Sequence, residues 1–191
     1  MVQSLMEYAD WLEGQDYPWP TPPVAEPVKA TPFTAPLEGV RAVTWSVYGT
    51  ILRISDGRLH LDHPQQLRMQ VALEKTIKAF NMWQSMIRKP GAPWEYLYQQ
   101  YTEVLELRQM VGTERTGDFP QVNSATVWST LIDRLVQNGY EFDEGFYGDL
   151  DQMAEKTAYF FHSGLQGVEA SEGAHATMTA IGESPIRQTL L

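Results

Sequence analysis

Apolar residues along this chain recur at two different spacings, and the places where the spacing changes divide it into elements. Between residues 4 and 13, Leu5, Tyr8, Trp11 and Leu12 share one helical face behind Ser4-x-x-Glu7, a capping-box spacing that predicts a short helix. Residues 17–36 then hold Pro18, Pro20, Pro22, Pro23, Pro27, Pro32 and Pro36, which exclude a helix or a central strand. This segment reads as an extended arm on the domain surface, anchored by Tyr17, Trp19 and Phe33; the alternative is a ligand for a partner's aromatic groove. A strand is expected over 41–47. The runs Ile51–Ile54 and Arg58–Leu61 flank Asp56-Gly57, which predicts a hairpin, since both turn residues tolerate positive φ.

From residue 64 to 167 the pattern is helical almost throughout. Pro64 opens a helix reaching to about Ile87, with Leu67, Val71, Ile77 and Phe80 on its stripe. A second runs from about Trp94 to Met110, and a polar loop spans Gly112–Val122. A third starts near Ser124 and stops at Gly139, and a fourth runs from about Asp143 to Phe161. Residues 171–182 predict one more helix, with Ser171 as N-cap, and Pro185–Leu191 begins a strand.

Composition narrows the function classes. The chain has 191 residues, 43% of them hydrophobic and 12% aromatic, so a packed core is affordable. A formal charge of −10 opposes nucleic-acid backbones and anionic membranes, which leads us to expect neither as a partner. The absence of cysteine excludes disulfides, thiolate catalysis and Cys-ligated zinc. No apolar run approaches the roughly 20 residues of a membrane span, and the N-terminus has no signal-peptide pattern. A cytoplasmic protein is expected.

The most informative stretch is Ala42-Val43-Thr44-Trp45-Ser46-Val47-Tyr48-Gly49-Thr50-Ile51-Leu52. It resembles the first motif of the haloacid dehalogenase-like hydrolases, a strand followed by Asp-x-Asp/Tyr-Gly-Thr-Leu/Ile. Gly173-Ala174, before the last strand, adds to the resemblance. The resemblance implies an α/β fold by family, mostly α in this chain. Residues 1–40 would be the N-terminal helix and arm, 41–62 the first core strand and flap hairpin, 63–167 a helical cap, and 168–191 a core helix and second parallel strand.

It also implies a hydrolase acting on a small anionic substrate, a phosphate ester or a haloacid, with Ser46, Tyr48 and Thr50 at catalytic positions and Gly49 and Arg53 beside the substrate. In the family an aspartate attacks the substrate, and in phosphatases its carboxylate holds Mg²⁺. Ser46 stands at that position, without a charge to hold the ion. The chain as written is therefore expected to be inactive or nearly so. Because it stops inside an apolar strand, we expect a fragment or one half of a split protein, with a second chain completing the core. The alternatives are a degenerate stand-alone relative, and a non-catalytic cap-like binding module that pairs with another chain.

Other candidate chemistry is thinner. In His60-Leu61-Asp62-His63 a strand would put His60 and Asp62 on one face and turn His63 away, a poor zinc geometry. His162 falls at a helix end, where an imidazolium suits the dipole. Trp83, Trp94, Tyr98, Tyr101, Trp128, Phe146 and Tyr147 recur at helical spacing, read first as core and second as an apolar substrate pocket.

Overall fold

The computed structural model describes residues 2–24, 26, 29–31, 35–86, 91–110 and 122–191. The expected anchor Phe33 and nearly all of the polar loop at 112–122 lie outside them. The fold is mixed α/β and mostly helical, in two compact units. One comprises Met1–Pro18 and His60–Leu165, the other Trp19–Leu59 and Gln166–Leu191. The chain thus leaves the second unit at residue 59 and returns to it at 166.

The first unit is helical. Helix α1 (Leu5–Glu13) starts with the expected capping box: the Glu7 N–H donates to Ser4 Oγ at 3.3 Å and the Ser4 N–H to Glu7 Oε2 at 2.7 Å. Helix α2 (Gln66–Ala79) ends earlier than its apolar stripe predicts, because the backbone turns left-handed at Asn81, φ 53°. A short 3₁₀ turn, Met82–Met86, follows. The Tyr140 hydroxyl donates to Phe80 O at 2.6 Å and satisfies a carbonyl freed at that break. Helices α3 (Pro93–Met110) and α4 (Ser124–Gln137) lie close to the expected spans.

The expected fourth helix is two, α5 (Glu144–Tyr147) and α6 (Leu150–Leu165). Gly148, at φ 88°, breaks it. Asp149 and Gln152 then cap α6 reciprocally, each N–H donating to the other's side chain at 3.1 and 2.9 Å. Helix α6 packs on α4, α2 and α1, and α3 on α2 and α4. Their shared core includes Met69, Leu73, Tyr101, Trp128, Ile132, Met153 and Phe161, all fully buried or nearly so. Trp128 and Tyr101 both meet Phe161, at ring separations of 5.3 and 5.4 Å. Tyr17 anchors the start of the arm edge-on against Phe160, 5.2 Å away.

The second unit holds the strands. β1 (Ala42–Trp45) pairs in parallel with β4 (Arg187–Leu190), Val43 opposite Gln188 and Thr44 opposite Thr189. Helix α7 (Ala174–Gly182) precedes β4 and is tied to both strands by one side chain. The Gln188 amide donates to Met178 O at 2.9 Å, and the Trp45 indole donates to Gln188 Oε1 at 2.8 Å. The expected N-cap Ser171 is displaced by Gly173, in the left-handed region at φ 74°. No residue of β1, β4 or α7 is buried.

The expected hairpin is not formed. Asp56 and Gly57 do take positive φ, at 66° and 72°, but within a 3₁₀ turn, and residues 58–61 are not a strand. β2 (Leu52–Ile54) instead pairs antiparallel with β3 (Val168–Ala170), a strand that local pattern did not predict. The reason is the buried Gln166, whose amide donates to both Ser55 O at 2.8 Å and Arg58 O at 2.9 Å. It occupies the carbonyls on either side of the turn and sets the next residues against β2. The arm crosses this unit at residues 20–22, directly over Gly167, where a side chain would have no room. No described helix is long and apolar enough to cross a membrane.

Candidate functional site

The residues singled out by the Tyr48-Gly49-Thr50 pattern meet in one turn at the carboxyl end of β1. β-Branched and aromatic residues, Val43 to Trp45, favour the strand, and Gly49 at φ 84° ends it in a conformation other residues resist. The Gly49 N–H donates to Leu52 O at 2.7 Å, the Leu52 N–H to Val47 O at 2.8 Å, and the Ile51 N–H to Val47 O at 3.2 Å. Backbone bonds therefore order the turn, and Thr50, expected at a catalytic position, makes no side-chain hydrogen bond among the described residues. β4 continues alongside: the Leu191 N–H donates to Trp45 O at 2.8 Å, and the Val47 N–H to Leu191 O at 3.3 Å.

Ser46, Tyr48, Gly49 and Thr50 are all exposed, so the turn presents its polar atoms to solvent. The Ser46 hydroxyl donates to Tyr48 O at 3.1 Å, and among the described residues no imidazole or carboxylate accepts from it. A hydroxyl whose proton is spent on a carbonyl has no base to activate it. Arg53 is set apart from these residues. It sits on β2 and forms an ion pair with Glu169 across the ladder, both side chains part-exposed. Its charge is already met.

Mg²⁺ requires hard, anionic oxygen ligands. Residues 46–50 supply hydroxyls and backbone carbonyls and no carboxylate, so they do not fit the ion that the resemblance implies.

The histidine cluster differs from its expected geometry. The His60 and His63 rings meet at 5.0 Å instead of facing apart. Asp62 accepts a bond from the Tyr98 hydroxyl at 3.2 Å. His63 is buried; its Nδ1 accepts from the Gln65 N–H at 3.0 Å, and its Nε2 lies 3.4 Å from the Arg68 guanidinium. These bonds tie the approach to α2, and a metal at His63 would have to displace one of them.

The aromatic set divides. Tyr101 and Trp128 are core, whereas Trp83 and Trp94 line a cavity of about 350 Å³ with Ile77 and Pro93, between Glu74 and Lys78. One pairing escaped sequence reading altogether. Ser124 Oγ lies 2.7 Å from His162 Nε2 across α4 and α6. The two residues are 38 positions apart in the chain, and no local spacing signals their meeting. Burial pushes His162 down to about 4, so at neutral pH it is uncharged, contrary to the imidazolium expected at a helix end.

No family model, curated protein or solved structure matches this chain.

Proposed function

We propose that this chain carries the opening of a haloacid dehalogenase-like core together with its helical cap. That lineage hydrolyses small phosphate esters or haloacids, and here the nucleophilic carboxylate is replaced by Ser46. The observation that carries the reading is the parallel pairing of 42–45 with 187–190, with Ser46 to Thr50 in the turn at the carboxyl end of β1. Open α/β sheets bind ligands at that end of their strands. A chance match of Tyr48-Gly49-Thr50 in an unrelated helical domain gives no reason for such pairing. The chain order agrees: the unit that holds His60–Leu165, helical in its described residues, interrupts the strand-bearing unit, as an inserted cap does.

The chemistry of the turn argues that this chain hydrolyses slowly or not at all. Ser46 lacks both the charge to hold a cation and a base to make it a nucleophile. A second reading, a non-catalytic module that pairs with another chain, is favoured by one specific observation. Parallel sheets are ordinarily covered on both faces. β1 and β4 pair only with each other among the described residues, and neither they nor α7 bury a residue.

Turnover of an aryl phosphate and of a 2-haloacid, with Mg²⁺ present, tests both readings on this chain and on Ser46→Asp. The unaltered chain should be silent. Activity gained by Ser46→Asp supports the hydrolase reading, and silence in both favours the binding module. Turnover by the unaltered chain that Ser46→Ala abolishes would overturn the assignment of Ser46 as an inactivating replacement.

A further inference from the structure

Ser124 is the first residue of α4, after the N-cap Asn123, and His162 lies in the last turn of α6. The serine is half-buried rather than enclosed, and its Oγ is at hydrogen-bonding distance, 2.7 Å, from the imidazole Nε2. The first-turn donors of α4 are mostly taken. The Ala125 N–H goes to Asn123 Oδ1 at 2.9 Å, and those of Thr126 and Val127 to Asn123 O at 3.1 and 3.4 Å. The N–H of Ser124 itself has no acceptor among the described residues. A nucleophile, a base and a free donor at the positive end of a 14-residue helix therefore converge on one residue.

We infer that Ser124 and His162 form a nucleophile–base pair that opens small carboxylic esters, at a site separate from the Ser46 turn. Ser124 Oγ attacks the ester carbonyl carbon while its proton passes to His162 Nε2. The carbonyl π electrons move to oxygen, which the Ser124 N–H receives. The C–O bond to the alcohol then breaks, and the alcohol leaves with the proton from Nε2, giving acyl-Ser124. Water repeats the sequence, Nε2 taking its proton, and the carboxylic acid departs with Ser124 restored.

The same structure limits the rate. For Nε2 to accept, the ring proton must sit on Nδ1, which is buried without a partner among the described residues. No carboxylate among the described residues orients it, so there the pair lacks the third member of a full triad. Burial alone lowers the basicity of His162, and no charged group contributes to that shift. On the serine side stand the phenol of Tyr101, within hydrogen-bonding reach, and the charge of Asp62 beyond it. The imidazole is a weak base that is nonetheless unprotonated across neutral and mildly acidic pH.

A fluorophosphonate probe, read by intact mass and peptide mapping, tests the pair. One adduct on Ser124 is expected. Ser124→Ala should abolish it, and His162→Gln should slow it about tenfold or more, below the usual general-base effect of about 10²–10⁴ because the base is weak. On the unaltered chain, labelling at pH 5 should be within about twofold of that at pH 8; an ordinary imidazole would lose about thirtyfold over that range. No adduct on Ser124, or equal labelling of a natively folded His162→Gln, overturns the inference. Should His162→Gln fail to fold, His162→Asn decides in the same way, equal labelling of the folded variant counting against the pair.

Discussion

Replacing Gly167 by alanine tests how the proline-rich arm is held. A Cβ at that position would stand 2.4 Å from Pro22 N, 2.5 Å from Pro20 O and 2.5 Å from the Thr21 carbonyl carbon. Comfortable carbon contacts begin near about 3.5 Å, so the arm must withdraw by roughly 1 Å. All three obstacles are backbone, and no side-chain rotation relieves them. Pro22 is buried, so withdrawal also exposes apolar surface. Overpacking of this kind costs about 1–3 kcal/mol. In a chain of this size that lowers Tm by about 2–12 °C. The assay is thermal melting by circular dichroism together with the rate of tryptic cleavage after Lys29 in the arm. Gly57→Ala is the control: it sits at φ 72° with nothing within 4 Å, so it strains its own backbone and leaves the arm in place. Gly167→Ala should lower the melt and speed cleavage, and Gly57→Ala should lower the melt alone. A Gly167→Ala protein with unchanged melting and unchanged cleavage would refute the packing of residues 20–22 over Gly167.

Two further outcomes follow from the core of the helical unit. His162 is held neutral when folded, with its value pushed from 6.5 to about 4, so protons bind the unfolded chain first. Its contribution to stability is full above about pH 6.5 and is lost as pH falls toward 4, by at most about 3 kcal/mol; urea titrations across that window should show the decline, and His162→Gln should flatten it. Trp128 is fully buried, and Trp128→Ala should cost about 3–5 kcal/mol by chemical denaturation. Trp128→Phe should cost far less, because the indole N–H it removes is buried and has no partner among the described residues.

What was legible in the sequence was what neighbouring residues decide among themselves. The Ser4/Glu7 box starts α1 where its spacing says, and Gly139, at φ 88°, follows the end of α4 as a stop should. The turn at 46–50 is equally local, a strand running into a glycine at φ 84°. The failures are non-local. Asp56-Gly57 does adopt the turn geometry its chemistry favours, yet the strand opposite β2 comes from residues 168–170, chosen by the buried amide of Gln166. Arg53 reads as a free cation beside a motif, until Glu169 arrives from the same distant strand. Ser124 and His162 carry no motif at all, and only the packing of α4 on α6 joins them. Gly148 was visible in the sequence, but inside a strong apolar stripe its break was outweighed by periodicity.

The reading of the strand-bearing unit rests on β1 and β4 running in the same direction, with Thr44 opposite Thr189. The chain has no cysteine of its own, so paired cysteines report cleanly. Thr44→Cys with Thr189→Cys should oxidise to an intramolecular disulfide, since paired strand positions lie within the Cα separation of about 4.4–6.8 Å that a disulfide spans. Ala42→Cys with Leu190→Cys, opposite each other only if the strands ran antiparallel, should not. Efficient closure of the second pair without the first would contradict the parallel core and, with it, the hydrolase lineage proposed for this chain.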